Sequence, residues 1–279
     1  MLLIERKSKL QTVLKYLAVI VVVAFTVLPF IYTIITSLMP EPELLARPPF
    51  PFKSVDFHLA NYEYILSYQP FTQAFLFSSA VAIMTTVFVL IAGSLGAYAI
   101  SHIDFPGNNA LFNFIVIVYM LPPLAMLMPI VVTLKVFGLL DTVLGMMFAH
   151  AIILLPLMTW FLIGIYAGVP RDINEAMLTD GYTRIKALFK EVVPLSRAGF
   201  FLVLIFCFIN SWNDLMFANT VGIVHVLLLQ PRILEFMSGA RVLYGQLAAA
   251  GVLSSVPVIA LAIVMSKQII AGIMKGAIK

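Results

Sequence analysis

Residues 171–197 read RDINEAMLTDGYTRIKALFKEVVPLSR and interrupt the chain's hydrophobic character with a run of charges of both signs. Arg171, Arg184, Lys186, Lys190 and Arg197 stand among Asp172, Glu175, Asp180 and Glu191. An anionic lipid surface attracts the basic residues but repels the acidic ones. A protein cleft accommodates both. The two readings are therefore a helix pair floating on headgroups and a helix pair docking into a partner. A second group, Asn210, Ser211, Trp212, Asn213 and Asp214, joins hydrogen-bonding side chains to an aromatic ring. That combination suits a polyhydroxylated solute. A carboxylate inside a membrane is a functional candidate by default. Trp and a charge at the membrane surface are equally ordinary anchors, so Asp214 keeps both readings.

Other chemistry is poorly supported. Neither HExxH nor GxSxG occurs, and His58, His102, His150 and His225 are scattered. His150 reads as a satisfied buried histidine, and a lone histidine makes no metal site. No GxxxxGK[ST] occurs, so a nucleotide used by this protein must bind another chain. Thr85, Thr86 and Asn113 read as helix–helix contacts. Cys207 lies in an apolar run as a packed, inert thiol. Met120–Met128, with Met126 inside it, is a flexible stretch broken by proline. It reads either as cavity lining or as a kinked packing helix.

These groups must be positioned by elements that live in lipid. The chain has 279 residues, 62% hydrophobic and 11% charged, against about 25% charged in soluble domains. The fold class is all-α, a polytopic membrane protein forming one domain over 1–279. A crossing needs roughly 20 apolar residues. Six are expected, at about 13–37, 72–100, 110–134, 142–166, 198–220 and 246–270. The first follows Arg6, Lys7, Lys9 and Lys15 and reads as a retained anchor. With both termini inside, twelve of the 17 Lys and Arg face inward. The outer five are Arg47, Lys53, Lys135, Arg232 and Arg241. The insert 167–197 is then cytoplasmic. The segment 38–71, with Pro40, Pro42, Pro48, Pro49, Pro51 and Pro70, reads as an extended outer loop with a short helix near Asn61–Leu66. It is either a connector or a surface for an external partner. The net charge of +4 implies no nucleic-acid partner.

Within the insert, Asp172 and Glu175 have capping-box spacing. Ile173, Ala176 and Met177 share one helical face. Gly181 permits a tight break. A second helix is expected from about Tyr182, with Ile185, Leu188, Phe189 and Val192 on one face, and Pro194 near its end.

Glu175-Ala176-Met177-Leu178-Thr179-Asp180-Gly181, followed thirteen residues later by Pro194-Leu195, resembles the EAA motif of ATP-binding-cassette importer permeases. More narrowly, the chain resembles maltose-type carbohydrate permeases with six spans. Ala97–Ser101 with Phe105-Pro106-Gly107, Gly138–Thr142, Trp212–Ala218 and Ile270–Lys279 agree with the same family in the same order. The resemblance covers about residue 60 to the end. It departs from the family at Met177, where Ala is usual, at Glu191, where an aliphatic residue is usual, and at His102, where Arg is common.

The resemblance implies a permease subunit that imports a sugar, oligosaccharide or polyol and is not itself an enzyme. It also implies a second permease subunit, an ATPase dimer carrying ATP and magnesium, and an extracytoplasmic solute-binding protein, all in a prokaryotic cytoplasmic membrane. No cofactor is expected in this chain. Asp172 to Tyr182 would be the coupling helix, with Glu175 pairing to a basic residue of the ATPase. The alternatives are an ion-coupled secondary transporter and an ATP-binding-cassette importer permease for a non-carbohydrate solute.

Overall fold

The computed structural model describes residues 2–46, 57–237 and 242–276, and all regular structure among them is helical. Arg47, Lys53 and Arg241, the prolines at 48, 49 and 51, and the last three residues of the tail lie outside the described residues.

In chain order, α1 is Leu2–Ser37, α2 Glu41–Ala46, α3 Ala60–Ser67 and α4 Gln69–His102. Two of the prolines expected to keep 38–71 extended instead begin helices. Pro42 and Pro70 each occupy the second helical position, where a missing N–H costs nothing. The expected short helix near Asn61–Leu66 is α3.

Next come α5 (Asn108–Tyr119), α6 (Pro123–Val136) and α7 (Val143–Tyr166). The expected third crossing is not one rod: α5 and α6 meet at 98°. The cause is Pro122, extended at φ −65° and ψ 127°, followed at once by Pro123, so two successive residues lack the N–H that would continue α5. Then follow α8 (Arg171–Thr179), α9 (Arg184–Ala187), a π-helical turn at Leu188–Val192, and α10 (Val193–Leu195). The segment Arg184–Leu195 turns by 91° into α11, Arg197–Trp212. The helix expected to reach 220 stops at Trp212 and resumes as α12, Ala218–Val221. Last are α13 (Leu229–Glu235) and α14 (Tyr244–Gly276).

α1, α4, α7 and α14 are long and apolar enough to cross a membrane, and counting each bent pair as one span raises the number to six. α7, the shortest of the four with 24 residues, measures about 36 Å, enough for a hydrocarbon core of about 30 Å.

The chain packs as two units. One comprises Met1–Gln69 and Ile233–Ser255. Here Asn61 ties the end of α1 to α3, its Nδ2 donating to the carbonyls of Ser37 at 3.0 Å and Met39 at 2.9 Å. Glu41 caps the start of α14 by accepting from the N–H groups of Tyr244 and Gly245. The other unit comprises Pro70–Arg232 and Val256–Lys279. Its core has two clusters. One, around Leu90, Met158, Leu162 and Tyr166, also buries Leu188 and Val192 of the π turn. The second gathers Val81, Met146 and Phe217, with Met126 packed against it.

Candidate functional site

The charged hairpin is built from backbone rules that its sequence states openly. α8 begins after Pro170, which is extended, and no side chain caps it. The expected capping box does not form. Asp172 already lies inside the first turn, where its charge complements the helix dipole without a cap bond. The helix ends in a Schellman turn: Tyr182 N–H donates to Met177 O at 3.0 Å and Gly181 N–H to Leu178 O at 3.1 Å. Gly181 sits at φ +84°, a conformation that side chains disfavour. Thr183 then caps α9 by accepting from Lys186 N–H. Helix begins at Arg184 and not at Tyr182, because Thr183 holds the extended cap position.

The apolar face expected on α8 points outward. Ile173 and Ala176 are exposed and Met177 is half-buried, while Asp172, Glu175 and Asp180 are exposed beside them. The buried residue of α8 is polar: Asn174 is 4% exposed, and its Oδ1 accepts from Tyr98 Oη at 2.6 Å. Arg171 adds an exposed anchor, donating to Ser101 O at 3.2 Å and to both carboxylate oxygens of Asp104 at 3.1 Å. In the second arm the π turn adds a residue per turn and shifts the helical phase. Leu188 and Val192 turn inward, whereas Ile185 and Phe189, expected on the same face, are exposed. Pro194, two residues after Val192, is exposed. Sequence reasoning missed Asn174 and Tyr98. A single buried polar residue on a short helix has no periodicity to announce it.

The polar group at the end of α11 is held by α7. His150 is 3% exposed. Its Nδ1 pairs with Ser211 Oγ at 2.7 Å and its Nε2 with Asp214 Oδ2 at 3.2 Å. The same carboxylate oxygen accepts Ala218 N–H at 2.9 Å, so Asp214 starts α12. His150 is the satisfied buried histidine expected of it. Ser211, His150 and Asp214 resemble a nucleophilic triad in composition, but Ser211 is buried, at 3% exposed. Trp212 is 1% exposed, stacked on Phe208 and edge-on to Phe75. Asn210 and Asn213 are exposed, and Asn213 Oδ1 accepts from Gln230 Nε2 at 3.3 Å. Of the expected helix contacts, Thr85 reaches Met147 O across to α7 at 3.5 Å, Thr86 bonds Ala82 O of its own helix, and Asn113 is exposed. Cys207 is buried.

A further polar device precedes α7. Asp141 adopts φ +59° and its carboxylate accepts four backbone N–H groups, from Ile223, Val224, His225 and Val226, at 2.8–3.1 Å. Burial pushes this carboxyl upward, but the four donors outweigh it and hold it below the ordinary carboxylate value.

Residues 89–275, which include α7, the hairpin, α11 and most of α14, match the family described as "Binding-protein-dependent transport system inner membrane component". The chain belongs to this family. It is therefore a membrane component of a binding-protein-dependent transport system. Similar proteins include the trehalose/maltose transport system permease protein of Thermococcus litoralis, 28% identical over 281 residues, covering 98% of this chain and 99% of that one. The sulfoquinovosyl glycerol transport system permease protein of Agrobacterium fabrum is 29% identical, covering 95% and 93%. The trehalose transport system permease protein of Mycobacterium tuberculosis is 28% identical, covering 92% and 94%. In fold, the permease is similar to a chain of a bacterial ABC transporter involved in the import of the acidic polysaccharide alginate. The TM-score is 0.80 at 18% identity, over 94% of this chain and 97% of that one.

Proposed function

We propose that this chain is the permease subunit of an ATP-driven importer that moves a sugar, oligosaccharide or polyol delivered by an extracytoplasmic binding protein. The observation that carries the proposal is the hairpin. Its outward side presents Ile173 and Ala176 with Glu175 among them, an apolar strip with an acidic group, on a scaffold fixed by the Schellman turn at Gly181. That surface fits a cleft with an apolar floor and a basic rim on a separate ATPase. Glu175, partly desolvated there, gains more from pairing than an exposed ion pair does. The permease relatives named above, two of trehalose systems and one of a sulfoquinovosyl glycerol system, support the carbohydrate class.

The subunit is read as one permease domain with six crossings and both termini in the cytoplasm of a prokaryotic cell, following the inward bias of Lys and Arg. Asp172, Glu175, Ala176, Met177, Asp180, Gly181 and Pro194 belong to the coupling element. A second permease subunit completes the path, and ATP and magnesium are held by the ATPase dimer. Asn210, Trp212, Asn213, Asp214 and Met126 are the candidates near the solute route.

Co-expression with the partner subunits and uptake into proteoliposomes tests this reading. Wild type takes up sugar only with ATP. Glu175→Ala lowers uptake at least several-fold and leaves the spans folded. Uptake without an ATPase, or labelling of the hairpin from outside sealed cells, overturns the proposal.

A further inference from the structure

Beyond its own hairpin, α8 is tied to α4 and the residues just after it by a few polar groups. Its outward side is open, Met177 and Leu178 are half-buried, and Asn174 is the one residue of the helix that is buried. An apolar contact is non-directional, and surfaces held by it can slide. A hydrogen bond between two side chains that are each 4% exposed is different. Separating Tyr98 from Asn174 would leave a hydroxyl and an amide oxygen buried without water, so the geometry resists displacement.

The stretch of α4 that carries Tyr98 is itself braced. The Tyr98 ring stacks on His102 at 5.3 Å with 16° between planes. One turn earlier, Ser94 Oγ accepts from Tyr166 Oη at 2.9 Å, and Tyr166 closes α7 immediately before the hairpin. Arg171, at the start of α8, reaches Ser101 O and Asp104 just beyond. Two separate attachment points on α8 prevent it from pivoting about either one. α4 has 34 residues, about 51 Å of continuous helix. A shift imposed on α8 is therefore passed to one long unbroken rod.

We propose that the Tyr98–Asn174 hydrogen bond is the link through which movement of α8 is delivered to α4, making both residues positioning residues of the transport cycle. This rests on the reading of α8 as the surface gripped by the ATPase. The decisive quantity is solute moved per ATP hydrolysed, because a purely structural contact would lower both rates together and leave that ratio unchanged.

The test uses the complete reconstituted transporter. Tyr98→Phe removes one oxygen and keeps the ring and its stacking. Asn174→Leu removes the acceptor and keeps the branched shape, and Asn174→Asp keeps an oxygen to accept the phenol. Tyr98→Phe and Asn174→Leu are each expected to lower the solute-to-ATP ratio about three- to tenfold, the range one buried hydrogen bond controls. The double variant is expected to be no worse than the poorer single one, and Asn174→Asp to recover most of the ratio. The ATPase subunit stays bound throughout, since its docking face is on the other side of α8. A wild-type ratio in Tyr98→Phe, additive losses in the double variant, or loss of the bound ATPase in Tyr98→Phe overturns the link. A wild-type complex that transports with no ATPase overturns the docking reading itself, and the link falls with it.

Discussion

Polar attachments flank both ends of α7, and they are built in opposite ways. Before it, Asp141 grips backbone: one carboxylate takes four consecutive N–H groups of residues 223–226. After it, the hairpin is gripped by side chains, through Tyr98–Asn174 and Arg171–Asp104, while the α8 backbone is occupied with its own helix and turn. Gripping backbone fixes the path of a segment whatever side chains it carries, so Ile223, Val224 and His225 remain exposed on a pinned strip. Gripping a rigid helix at two points leaves it straight and ties its movement to whatever holds it. The first is an arrangement for staying still, and the second is the one the proposed coupling of α8 to α4 requires.

Three substitutions and one pH series put that contrast to the test. The largest effect is expected at Asp141. Asp141→Asn leaves one oxygen to serve donors that now use two, and faces the others with an NH2 group. Each unsatisfied N–H costs about 1–3 kcal/mol. Hydrogen exchange of residues 223–226 should accelerate about tenfold or more while α8 is unchanged; acceleration of both would erase the contrast. The pH dependence has a definite sign. A carboxyl held below its ordinary value protects the loop at neutral pH, and protection is lost as the pH falls through that depressed value, below the ordinary carboxylate pKa of about 4. Loss of protection on raising the pH would contradict the four-donor cradle.

Gly181→Val comes second. Placing a β-branched residue at φ +84° costs of order 1–3 kcal/mol. Uptake should fall sharply and exchange should rise at Gly181 and Tyr182, with residues 223–226 unaffected. An unchanged hairpin would mean the Schellman turn is not needed. Arg171→Ala is the smallest. Its side chain is 49% exposed and that of Asp104 is 84% exposed, so the pair contributes roughly 0.2–1 kcal/mol. Uptake should change less than in Tyr98→Phe, and the difference should shrink in high salt. A larger loss than in Tyr98→Phe would make the exposed pair the principal attachment.

What was legible in the residues follows from how local each signal is. The long apolar rods α1, α4, α7 and α14 announce themselves because hydropathy sums over neighbours in the chain. The break at Gly181 is readable because one residue type tolerates that backbone angle. The bend at Pro122 is marked by two adjacent prolines, but its size is not, and α11 ends at Trp212 inside the polar group 210–214, where polar residues alone do not say whether a helix continues. The π turn at Leu188–Val192 was invisible, because a periodic face cannot reveal one extra residue per turn.

Taken alone, the order of residues determined that this chain is a helical membrane protein with a charged hairpin of the permease kind. Those properties depend on composition and on backbone rules acting over a few residues. It took the packing of the helices to set Asn174 against Tyr98, to join His150 to Ser211 and Asp214, and to bring residues 223–226 onto Asp141. The partners in these contacts lie between 61 and 85 positions apart. No local pattern encodes such pairings; they arise when helices pack and each buried polar atom must find a partner within reach.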